Sequence, residues 1–443
     1  MFPSVPSYLS HMNITDKKIG VWGIGVVGKS VLSYLSTHGT QHALYAYDDA
    51  PCTLTQKQWL LERNITLVSE RTDFFTKIDI LIPSPGVPIT KYTIPVPCYA
   101  EIDLFYDMFC EQKQKPCIIG ITGTVGKTSI TTLLTQLLTA AGYRAIALGN
   151  IGVGLLDFFS LAASYDYVVI ELSSFQLEYC ERFTPDLAIW TTFDDNHIDR
   201  HGTREQYAWA KYQLIRRVTK YPSIVPEEAI PFLAAFDAQV GGKRSYEVWT
   251  ALRNQPLDLP HCSYKDNWRI LFVVLRTLGI SSSELFARTQ WDVPLYRLSY
   301  LGTYRSVDFY NDSKSTIPSS TNAAIRELQE RFPDRTLMLI IGGVSKGVDR
   351  TQWCRVLGAQ GHRVYCFGSE AVHLAEACRQ GGTQATAYDT LEHLWRALLS
   401  ELPERSIVLF SPAGASFDLF KSYIERGSVF TALFTQMQHN QSC

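Results

Sequence analysis

Residues Gly120–Ser129 read GITGTVGKTS, and this glycine-rich stretch follows the apolar run Cys117–Ile121 and precedes a helix-forming run. That context is typical of a phosphate-binding loop, in which backbone N–H groups and a helix N-terminus surround phosphate oxygens. Lys127 would reach the β and γ phosphates of ATP, and the Thr128 hydroxyl would bind Mg²⁺. The strict pattern has glycine where this chain has Ile121, so the loop is a variant. The alternative is a chance glycine turn.

Apolar runs alternate with helix-forming runs along most of the chain. This alternation is typical of α/β folds with parallel sheets, in which ligands bind at the edge where the strands end. We predict strands at Ile19–Trp22, Ala43–Tyr47, Ile78–Ile82, Cys117–Ile121, Tyr167–Leu172, Leu187–Thr191, Leu337–Ile341, Arg363–Phe367 and Ile407–Phe410. We predict helices at Lys127–Ala141, Ser319–Arg331 and Leu391–Glu401, among others. Three blocks follow from this pattern, and we predict domains at residues 1–113, 114–297 and 298–443.

A second glycine loop, Gly23–Gly28, reads GIGVVG and follows the first predicted strand. Asp48 comes after the next strand, where the acidic residue of a dinucleotide fingerprint binds a ribose. By itself the pattern fits a nicotinamide or flavin site, a site for another nucleotide, or a plain strand–helix turn.

Acidic and imidazole side chains follow two strands of the central block. Residues 171–178 read ELSSFQLE, and residues 194–201 read DDNHIDRH. Because parallel strands end at one edge of a sheet, both segments should lie on the side of the phosphate loop. Carboxylates and a histidine suit divalent metals, so we predict metal sites there; the alternative is two solvated loops.

The third block has three motifs after predicted strands, NDSKST at 311–316, GGVSKG at 342–347 and SPAGASFD at 411–418. The first follows a strand predicted at Tyr304–Tyr310, and its simpler interpretation is a helix cap. We expect the third motif to open a helix, whose N-terminus would bind a carboxylate. Together the motifs predict a site for an anionic partner.

The composition excludes several classes of protein. The 443 residues carry a net charge of −2, with 46% hydrophobic residues, so we expect a globular chain that binds neither nucleic acid nor anionic membranes. The ten cysteines are scattered without a C-x-x-C pair, which favours reduced thiols. The polar N-terminus lacks a signal peptide, and apolar runs of about 18 residues are absent from the sequence, so we expect a cytoplasmic protein without membrane insertion.

Taken together, the motifs resemble the Mur ligase family over nearly the whole chain. Residues 120–128 fit its GxTGTxGKT pattern, including the shift at Ile121, and residues 171–178 match its ELSSFQLE segment. Residues 311–316 resemble NDSKxT and residues 411–417 resemble SPAxASF, which favours the branch that adds D-glutamate. The resemblance implies a Rossmann-like N-terminal domain, a central P-loop-type ATPase and a Rossmann-like C-terminal domain.

The resemblance also implies the reaction. D-Glutamate is added to UDP-N-acetylmuramoyl-L-alanine through an acyl phosphate at the expense of ATP, with two Mg²⁺ sites, in the synthesis of peptidoglycan precursors. It implies a monomer, and a glycine loop at residues 23–28 that binds uridine diphosphate and not NAD.

The resemblance also implies roles for individual residues, namely those that stand at the family's motif positions. The residues implied for ATP are Gly123, Thr124, Gly126, Lys127, Thr128, Ser129, Asn267, Arg297 and Asp312. Those implied for the UDP substrate are Val26, Val27, Asp48, Ser84, Gly86, Asn150 and Phe175. Those implied for D-glutamate are Lys314, Thr316, Lys346, Ser416 and Phe417. The implied metal ligands are Thr128, Glu171, His197 and, if carbamylated, Lys211, and the implied catalytic residues are Lys127, His197 and Lys211.

Lys211 stands where the family has a carbamylated lysine that bridges to Mg²⁺. A neutral lysine near cations can capture CO₂ and become an anionic ligand. The alternative is an ordinary lysine on an amphipathic helix, which we predict at Glu205–Val218.

Several positions depart from the family pattern. Asn196 stands before His197 where the family has an acidic residue, and residues 263–267 keep only Asn267 of a His-Asn-x-x-Asn stretch. Residues 295–297 keep an arginine and lose a histidine. These departures point to altered nucleotide affinity or kinetics and not to another reaction.

Three alternatives stay open at this stage. The first is a folylpolyglutamate-type ligase, which would lack the N-terminal UDP block. The second is an NAD-dependent oxidoreductase, which would leave the phosphate loop unexplained. The third is a degenerate homologue that binds nucleotide without catalysis. The first residue on the acceptor, L-alanine, glycine or L-serine, is also left open.

Overall fold

The computed structural model describes residues 16–38, 43–242, 244–257, 264–288, 291–345 and 349–439. They form an α/β fold with three sheets, which confirms the predicted fold class. The chain forms two compact units, whose described residues fall within Met1–Phe193, Thr203–Gln255 and Ile270–Leu285 for the first and Asp194–Gly202, Pro256–Arg269 and Phe286–Cys443 for the second. The boundaries predicted for three domains stay predictions.

The first unit contains a four-stranded parallel sheet. Its elements are β1 (Lys18–Trp22), α1 (Val26–His38), β2 (Ala43–Tyr47), α2 (Leu54–Leu61), β3 (Thr66–Leu67), α3 (Arg71–Lys77), β4 (Ile80–Pro83) and α4 (Glu101–Cys110). The strand order is β3-β2-β1-β4. The chain crosses from one side of β1 to the other after β3, so the loops after β1 and β4 flank the point where parallel sheets bind ligands.

A six-stranded parallel sheet occupies the rest of the first unit. The elements between residues 117 and 286 are β5 (Cys117–Thr122), α5 (Lys127–Ala140), β6 (Ala145–Gly149), β7 (Tyr167–Glu171), α6 (Ser174–Glu178), β8 (Leu187–Trp190), α7 (Ile198–His201), α8 (Arg204–Ile215), β9 (Ser223–Val225), α9 (Ile230–Val240), β10 (Tyr246–Val248), α10 (Lys265–Thr277) and α11 (Ser283–Phe286). The strand order is β10-β9-β8-β5-β7-β6. Strand β5 is buried along almost its whole length, as its run of isoleucines predicts. Its carboxyl end therefore lies between the ends of β7 and β8.

The second unit contains the third sheet. Its elements are β11 (Ser299–Tyr304), β12 (Val307–Asn311), α12 (Pro318–Arg331), β13 (Thr336–Gly342), α13 (Thr351–Ala359), β14 (Arg363–Phe367), α14 (Ala371–Gln380), β15 (Ala385–Tyr388), α15 (Leu391–Ser400), β16 (Ser406–Phe410) and α16 (Tyr423–His439). The strand order is β11-β12-β16-β13-β14-β15, and only β11 is antiparallel to its neighbour. The adjacent strands β13 and β16 mark the point where the strand order reverses.

Most strands lie where the sequence predicts them, and two predictions were wrong. The strand predicted at Tyr304–Tyr310 is a hairpin, because Arg305 and Ser306 both take left-handed conformations, with φ of +48° and +64°. The motif at residues 411–418 does not open a helix, since α16 begins only at Tyr423. Its Ala415 pairs instead with Val344.

The remaining expectations concern termini, thiols and membranes. Residues 1–15, which carry most of the prediction about a signal peptide, lie outside the described residues. The eight cysteines that are described have free thiols. Among the described residues, helices long and apolar enough to span a bilayer are absent.

Candidate active site

The phosphate loop joins β5 to α5, and glycines give it its shape. Gly123 has φ of +148° and Gly126 has φ of +90°, conformations that glycine adopts without strain. Gly126 is the N-cap residue of α5, and it has no side chain that could cap the N–H groups of the first turn. The positive end of the helix dipole is therefore available to an anion.

Two threonines after β8 hold this loop in place. The backbone N–H groups of Thr124 and Val125 donate to the carbonyl and the hydroxyl of Thr192, both at 2.9 Å. The Thr191 hydroxyl donates to the carbonyl oxygen of Val125. The loop is thus fixed by the neighbouring strand end before any ligand arrives, which preorganises it for phosphate.

Gly123 packs so tightly on Thr191 that a β-carbon there would lie 1.9 Å from the threonine Oγ1. We expect Gly123→Ala to displace the loop and weaken ATP binding at least about tenfold, because lost charge-assisted hydrogen bonds are each worth roughly 1.5–3 kcal/mol. Titration calorimetry with ATP measures this change. The control is Gly142→Ala, a site with φ of +92° where a β-carbon has nothing within 4 Å. Equal ATP affinity in the Gly123 variant and the wild type would contradict the steric argument.

Two lysine side chains converge on the carbonyl oxygen of Gly123. Lys127 Nζ donates to it at 2.8 Å and to the Thr124 carbonyl at 3.2 Å. Lys211 Nζ, from α8, donates to the same Gly123 oxygen at 3.0 Å and lies 4.3 Å from the Tyr207 ring centroid. Lys211 is only 1% exposed, so it is not an ordinary solvated lysine on a helix surface. Burial, followed by repulsion from Lys127, lowers the pKa of Lys211 well below its usual value.

Glu171, the last residue of β7, lies beside the phosphate loop, and within the described part of the chain only one of its two carboxylate oxygens accepts hydrogen bonds. Its Oε1 accepts hydrogen bonds from Thr128 Oγ1 at 3.2 Å and from Asn150 Nδ2 at 3.3 Å. Its Oε2 is buried and has no hydrogen-bond partner among the described residues. An unpaired buried carboxylate oxygen costs free energy that a cation or its water ligand would relieve.

This donor set fits Mg²⁺. The ion usually binds one or two carboxylates together with waters and phosphate oxygens, and not a cage made by the protein alone. Groups of three or more His, Cys, Asp or Glu side chains placed to enclose a metal are absent from the described part of the chain. Thr128 and Glu171 are the side chains in the first unit that would hold it.

The other polar residues of the ELSSFQLE segment build the turn into α6. The Ser173 hydroxyl accepts from the Gln176 N–H at 3.2 Å, and Gln176 Oε1 accepts from the Ser173 N–H at 3.0 Å. This reciprocal capping box fixes the chain directly after Glu171. Part of the motif is therefore structural, and its first residue is the one that faces the phosphate loop.

The glycine loop of the first sheet is braced by two side chains. Asp48 Oδ2 accepts from the Ile24 N–H at 2.6 Å, and Ser84 Oγ donates to the Gly23 carbonyl at 2.7 Å. Helix α1 then begins at Val26, whose side chain is 89% exposed. The glycine loop thus joins β1 to a helix, and the ribose contact of Asp48 stays a prediction.

The remaining residues implied for the UDP substrate also lie in the first unit. They are Val27 in the first turn of α1, Gly86 after β4, Asn150 after β6 and Phe175 in α6. Two of these segments are in contact, because the Tyr179 hydroxyl after α6 donates to the Val87 carbonyl after β4 at 3.2 Å.

Asp312 is buried in the second unit at the centre of a hydrogen-bond network. Its carboxylate accepts from the Leu298 N–H at 3.0 Å and from the hydroxyls of Tyr264 at 3.1 Å, Ser315 at 2.5 Å and Ser411 at 2.8 Å. Burial raises the pKa of Asp312 to about 6. Tyr264, one of the positions that departs from the family pattern, therefore has a structural partner. A direct contact of Asp312 with ATP stays a prediction.

The residues implied for D-glutamate lie on the loops that follow β12 and β16. Lys314 Nζ is 3.8 Å from the ring centroid of Tyr423. Ser416 is buried, whereas Phe417 is 72% exposed. The simpler interpretation of the motif at 311–316 as a helix cap is wrong, because α12 begins after Ile317 without a side-chain cap. Thr316 lies on the same loop, and Lys346 lies outside the described residues.

Three further predicted site residues, His197, Asn267 and Arg297, belong to the second unit. His197 precedes α7 with a left-handed φ of +56°, and the Asn196 side chain before it is buried. Asn267 is buried in the first turn of α10, and Arg297 precedes β11. Their contacts with the nucleotide or with metal stay predictions, as does the effect of the departure at Ser263, which lies outside the described residues.

Two family models match the chain, the Mur ligase middle domain over residues 121–257 and the Mur ligase glutamate ligase domain over residues 296–414. Together they cover more than half of it. A UDP-N-acetylmuramoylalanine–D-glutamate ligase of Koribacter versatilis is 28% identical and covers 97% of this chain and 100% of its own. The chain belongs to the Mur ligase family. The resemblance inferred from the motifs is therefore confirmed.

Other relatives of this Mur ligase agree. The enzyme of the same name from Salmonella choleraesuis is 28% identical over 95% of this chain and 99% of its own. Among solved structures, MurF from Thermotoga maritima in complex with ADP matches with a TM-score of 0.59 and 17% identity, over 97% of this chain and 96% of its own. A folylpolyglutamate synthase from Yersinia pestis matches with a TM-score of 0.56 and 17% identity, over 80% of this chain and 100% of its own. These structures establish the fold.

Two buried arginines of this Mur ligase were not predicted from the sequence. Arg426, on α16, donates to the Ser313 hydroxyl at 3.1 Å, to the Ser313 carbonyl at 2.7 Å and to the Gly414 carbonyl at 2.9 Å. It therefore joins the loop after β12 to the loop after β16. Arg350, before α13, contacts the loops after β13 and β16. Both lie outside every motif, and a single sequence carries no signal for such contacts.

Proposed function

We propose that this Mur ligase is the ATP-dependent enzyme that adds D-glutamate to UDP-N-acetylmuramoyl-L-alanine in peptidoglycan precursor synthesis. The observation that carries the proposal is the arrangement of Lys127, Lys211, Thr128 and Glu171 around the Gly123 loop. It supports phosphoryl transfer from ATP. The names of the full-length relatives support the choice of substrates.

The reaction consists of two transfers. An oxygen of the L-alanyl carboxylate attacks the γ-phosphorus of ATP, the bond to the β-phosphate oxygen breaks, and ADP leaves. The amine of D-glutamate then attacks the carbonyl carbon of this acyl phosphate, loses a proton, and inorganic phosphate departs with its bridging oxygen. One amide forms for each ATP that becomes ADP and phosphate. Positioning and charge neutralisation supply most of the catalysis in such transfers.

The residues of the phosphate loop have distinct tasks in this scheme. The backbone of the loop and the N-terminus of α5 bind the phosphates. Lys127, anchored on the loop carbonyls, neutralises the charge that develops as the γ-phosphoryl group moves. Thr128 and Glu171 would hold Mg²⁺. When bound, the ion would screen the phosphate oxygens and polarise the γ-phosphoryl group.

We propose that Lys211 is carbamylated and contributes to a second Mg²⁺ site, and that His197 is a metal ligand. The Lys211 amine is buried, and its lowered pKa favours the uncharged form that this modification needs. A carbamate would replace a neutral amine by an anion in a site that also binds cations.

Two further groups of loops accept the two other substrates. We assign the UDP end of the acceptor to the glycine loop after β1 and D-glutamate to the loops after β12, β13 and β16. A folylpolyglutamate ligase is less well supported, because the relatives that match 95% or more of this chain in sequence are named D-glutamate ligases.

The experiment is an assay of phosphate release with ATP, Mg²⁺ and UDP-N-acetylmuramoyl-L-alanine. We expect release that depends on D-glutamate and not on L-glutamate, L-alanine or a diamino acid. Acceptors that carry glycine or L-serine in place of L-alanine then test the first peptide residue. Release with another amino acid and none with D-glutamate would overturn the assignment.

We also propose that the enzyme acts as a monomer in the cytoplasm. Light scattering during gel filtration tests the first point, since a monomer has the chain mass of 50.0 kDa. A mass of twice this value would contradict it.

A further inference from the structure

Arg350 forms a buried clamp between two loops of the third sheet. Its side chain is only 1% exposed. One terminal nitrogen donates to the Gly342 carbonyl at 2.9 Å and to the Ala413 carbonyl at 3.3 Å. The other donates to the Gly343 carbonyl at 2.6 Å and to Glu370 Oε2 at 2.6 Å. A single guanidinium thus holds the loop after β13, the loop after β16 and a carboxylate.

Glu370 extends this clamp to a third loop. It immediately precedes α14, and its Oε1 accepts from the Ser345 N–H at 2.8 Å. The carboxylate therefore binds Arg350 with one oxygen and the loop after β13 with the other. The Arg350–Glu370 pair connects the loops that follow β13, β14 and β16.

The conformation of the two main loops depends on this support. Beyond the last paired residues of β13 and β16, Val344 and Ala415 exchange backbone hydrogen bonds at 2.9 Å and 2.7 Å. Ala413 has φ of +58°, a left-handed conformation that costs a non-glycine residue roughly 1–2 kcal/mol and persists only where the surroundings hold it. A β-carbon at Gly343 would lie 2.2 Å from the Ala415 carbonyl oxygen. Little freedom remains once the clamp is in place.

The chemistry of the pair favours a positioning role over simple stabilisation. The Arg350 side chain is buried and the Glu370 side chain is 31% exposed, and neither buried nor exposed ion pairs usually contribute much net stability to a fold. This pair lies at the edge of the sheet where the strands end. The buried Ser416 follows Ala413, one of the residues bound by Arg350, by three positions. Its effect is to set the distance between two loops to which we assigned the amino-acid substrate.

We propose that the Arg350–Glu370 pair is a positioning unit for the amino-acid substrate of this ligase, which fixes the loop of Ser416 against the loop after β13. The inference rests on the proposed function. Arg350 acts through the loops, whose polar groups orient the amine of the bound substrate. Since a displacement of about 1 Å can cost roughly 10² in rate, loosening the clamp should affect this substrate selectively.

The test is Arg350→Lys, assayed with all three substrates. Lysine keeps the charge, but its three N–H donors on one nitrogen cannot reproduce a planar fork that serves four acceptors. We expect the KM for D-glutamate to rise about tenfold or more. The KM values for ATP and for the UDP substrate should stay within about twofold. A uniform change in all three KM values, or an unchanged KM for D-glutamate, would overturn the inference.

A second variant and a control separate positioning from folding. Glu370→Gln leaves the contacts of Arg350 with the carbonyls and weakens only the carboxylate bridge, so we expect a smaller rise, about threefold, in the KM for D-glutamate alone. The control is Arg335→Lys. Arg335 pairs with Asp308 at the opposite, amino end of the same sheet. The Arg335→Lys variant should have a lower melting temperature and an unchanged KM for D-glutamate. A rise in the KM for D-glutamate in this control, equal to that of Arg350→Lys, would also contradict the inference.

These outcomes are distinct from failure of the proposed function. If the wild-type enzyme releases no phosphate in response to D-glutamate, the proposed function is wrong. If it does, and the clamp variants fail to change the KM for D-glutamate selectively, only the positioning role is wrong.

Discussion

Replacement of Lys127 by alanine is expected to lower kcat for phosphate release by about 10³-fold. Lys127 is the loop lysine, and its ammonium group is fixed on the carbonyl oxygens of Gly123 and Thr124. Because those contacts orient the side chain before ATP binds, the charge is already in place when the γ-phosphoryl group transfers. Its removal therefore costs transition-state stabilisation as well as ATP affinity. Steady-state kinetics with a coupled ADP assay measure the loss.

Two measurements make this expectation specific. Lys113→Ala changes an exposed lysine before β5 and should leave kcat within about twofold, since surface substitutions have small effects. The melting temperature of the Lys127 variant should stay close to that of the wild type, because Thr191 and Thr192 hold the loop independently. A Lys127→Ala enzyme that retains more than a tenth of the wild-type kcat would exclude the proposed role.

The phosphate loop was predictable because its signal is local. A strand, a glycine turn and a helix N-terminus follow one another within one short segment, and each part depends on its own residues. The hairpin at Arg305 and Ser306 was missed because neither residue is one of the glycines or asparagines that usually mark such a turn. The antiparallel pairing of β11 with β12 fixes the backbone of these two turn residues, whose own conformational preferences do not favour the turn.

The polar networks of the second unit could not be predicted from the sequence for a different reason. Asp312 accepts hydrogen bonds from residues as far apart as Tyr264 and Ser411. Arg350 and Arg426 join loops separated by more than 60 residues of sequence. Pattern and spacing describe neighbours along the chain, whereas these contacts exist only once the sheet has formed. The sequence pointed to the right loops and missed the residues that hold them.

The surroundings of Lys211 bear on a prediction that the sequence left open. The sequence left a choice between a modified lysine and an ordinary one on a helix. In the fold its amine is buried against Gly123 and the Tyr207 ring, and burial lowers its pKa well below the usual value. Because the folded pKa lies below the unfolded one, the folded protein binds fewer protons between the two values, and stability rises with pH across that interval. The uncharged amine is the form that reacts with CO₂.

Lys211→Ala is therefore expected to lower kcat by about 10²-fold or more, because the variant lacks the carbamate that would act as an anionic ligand. Formate or acetate should restore part of the activity, since a small carboxylate can occupy the space that the side chain leaves and supply the missing charge. The matched variant is Lys211→Met, which fills most of that space with an apolar chain and leaves no room for the acid. Its activity should be equally low and insensitive to formate, and its buried methionine should make it no less stable than the wild type at neutral pH. Full activity in Lys211→Ala would rule out the carbamate, and rescue of both variants alike would show that the acid acts elsewhere.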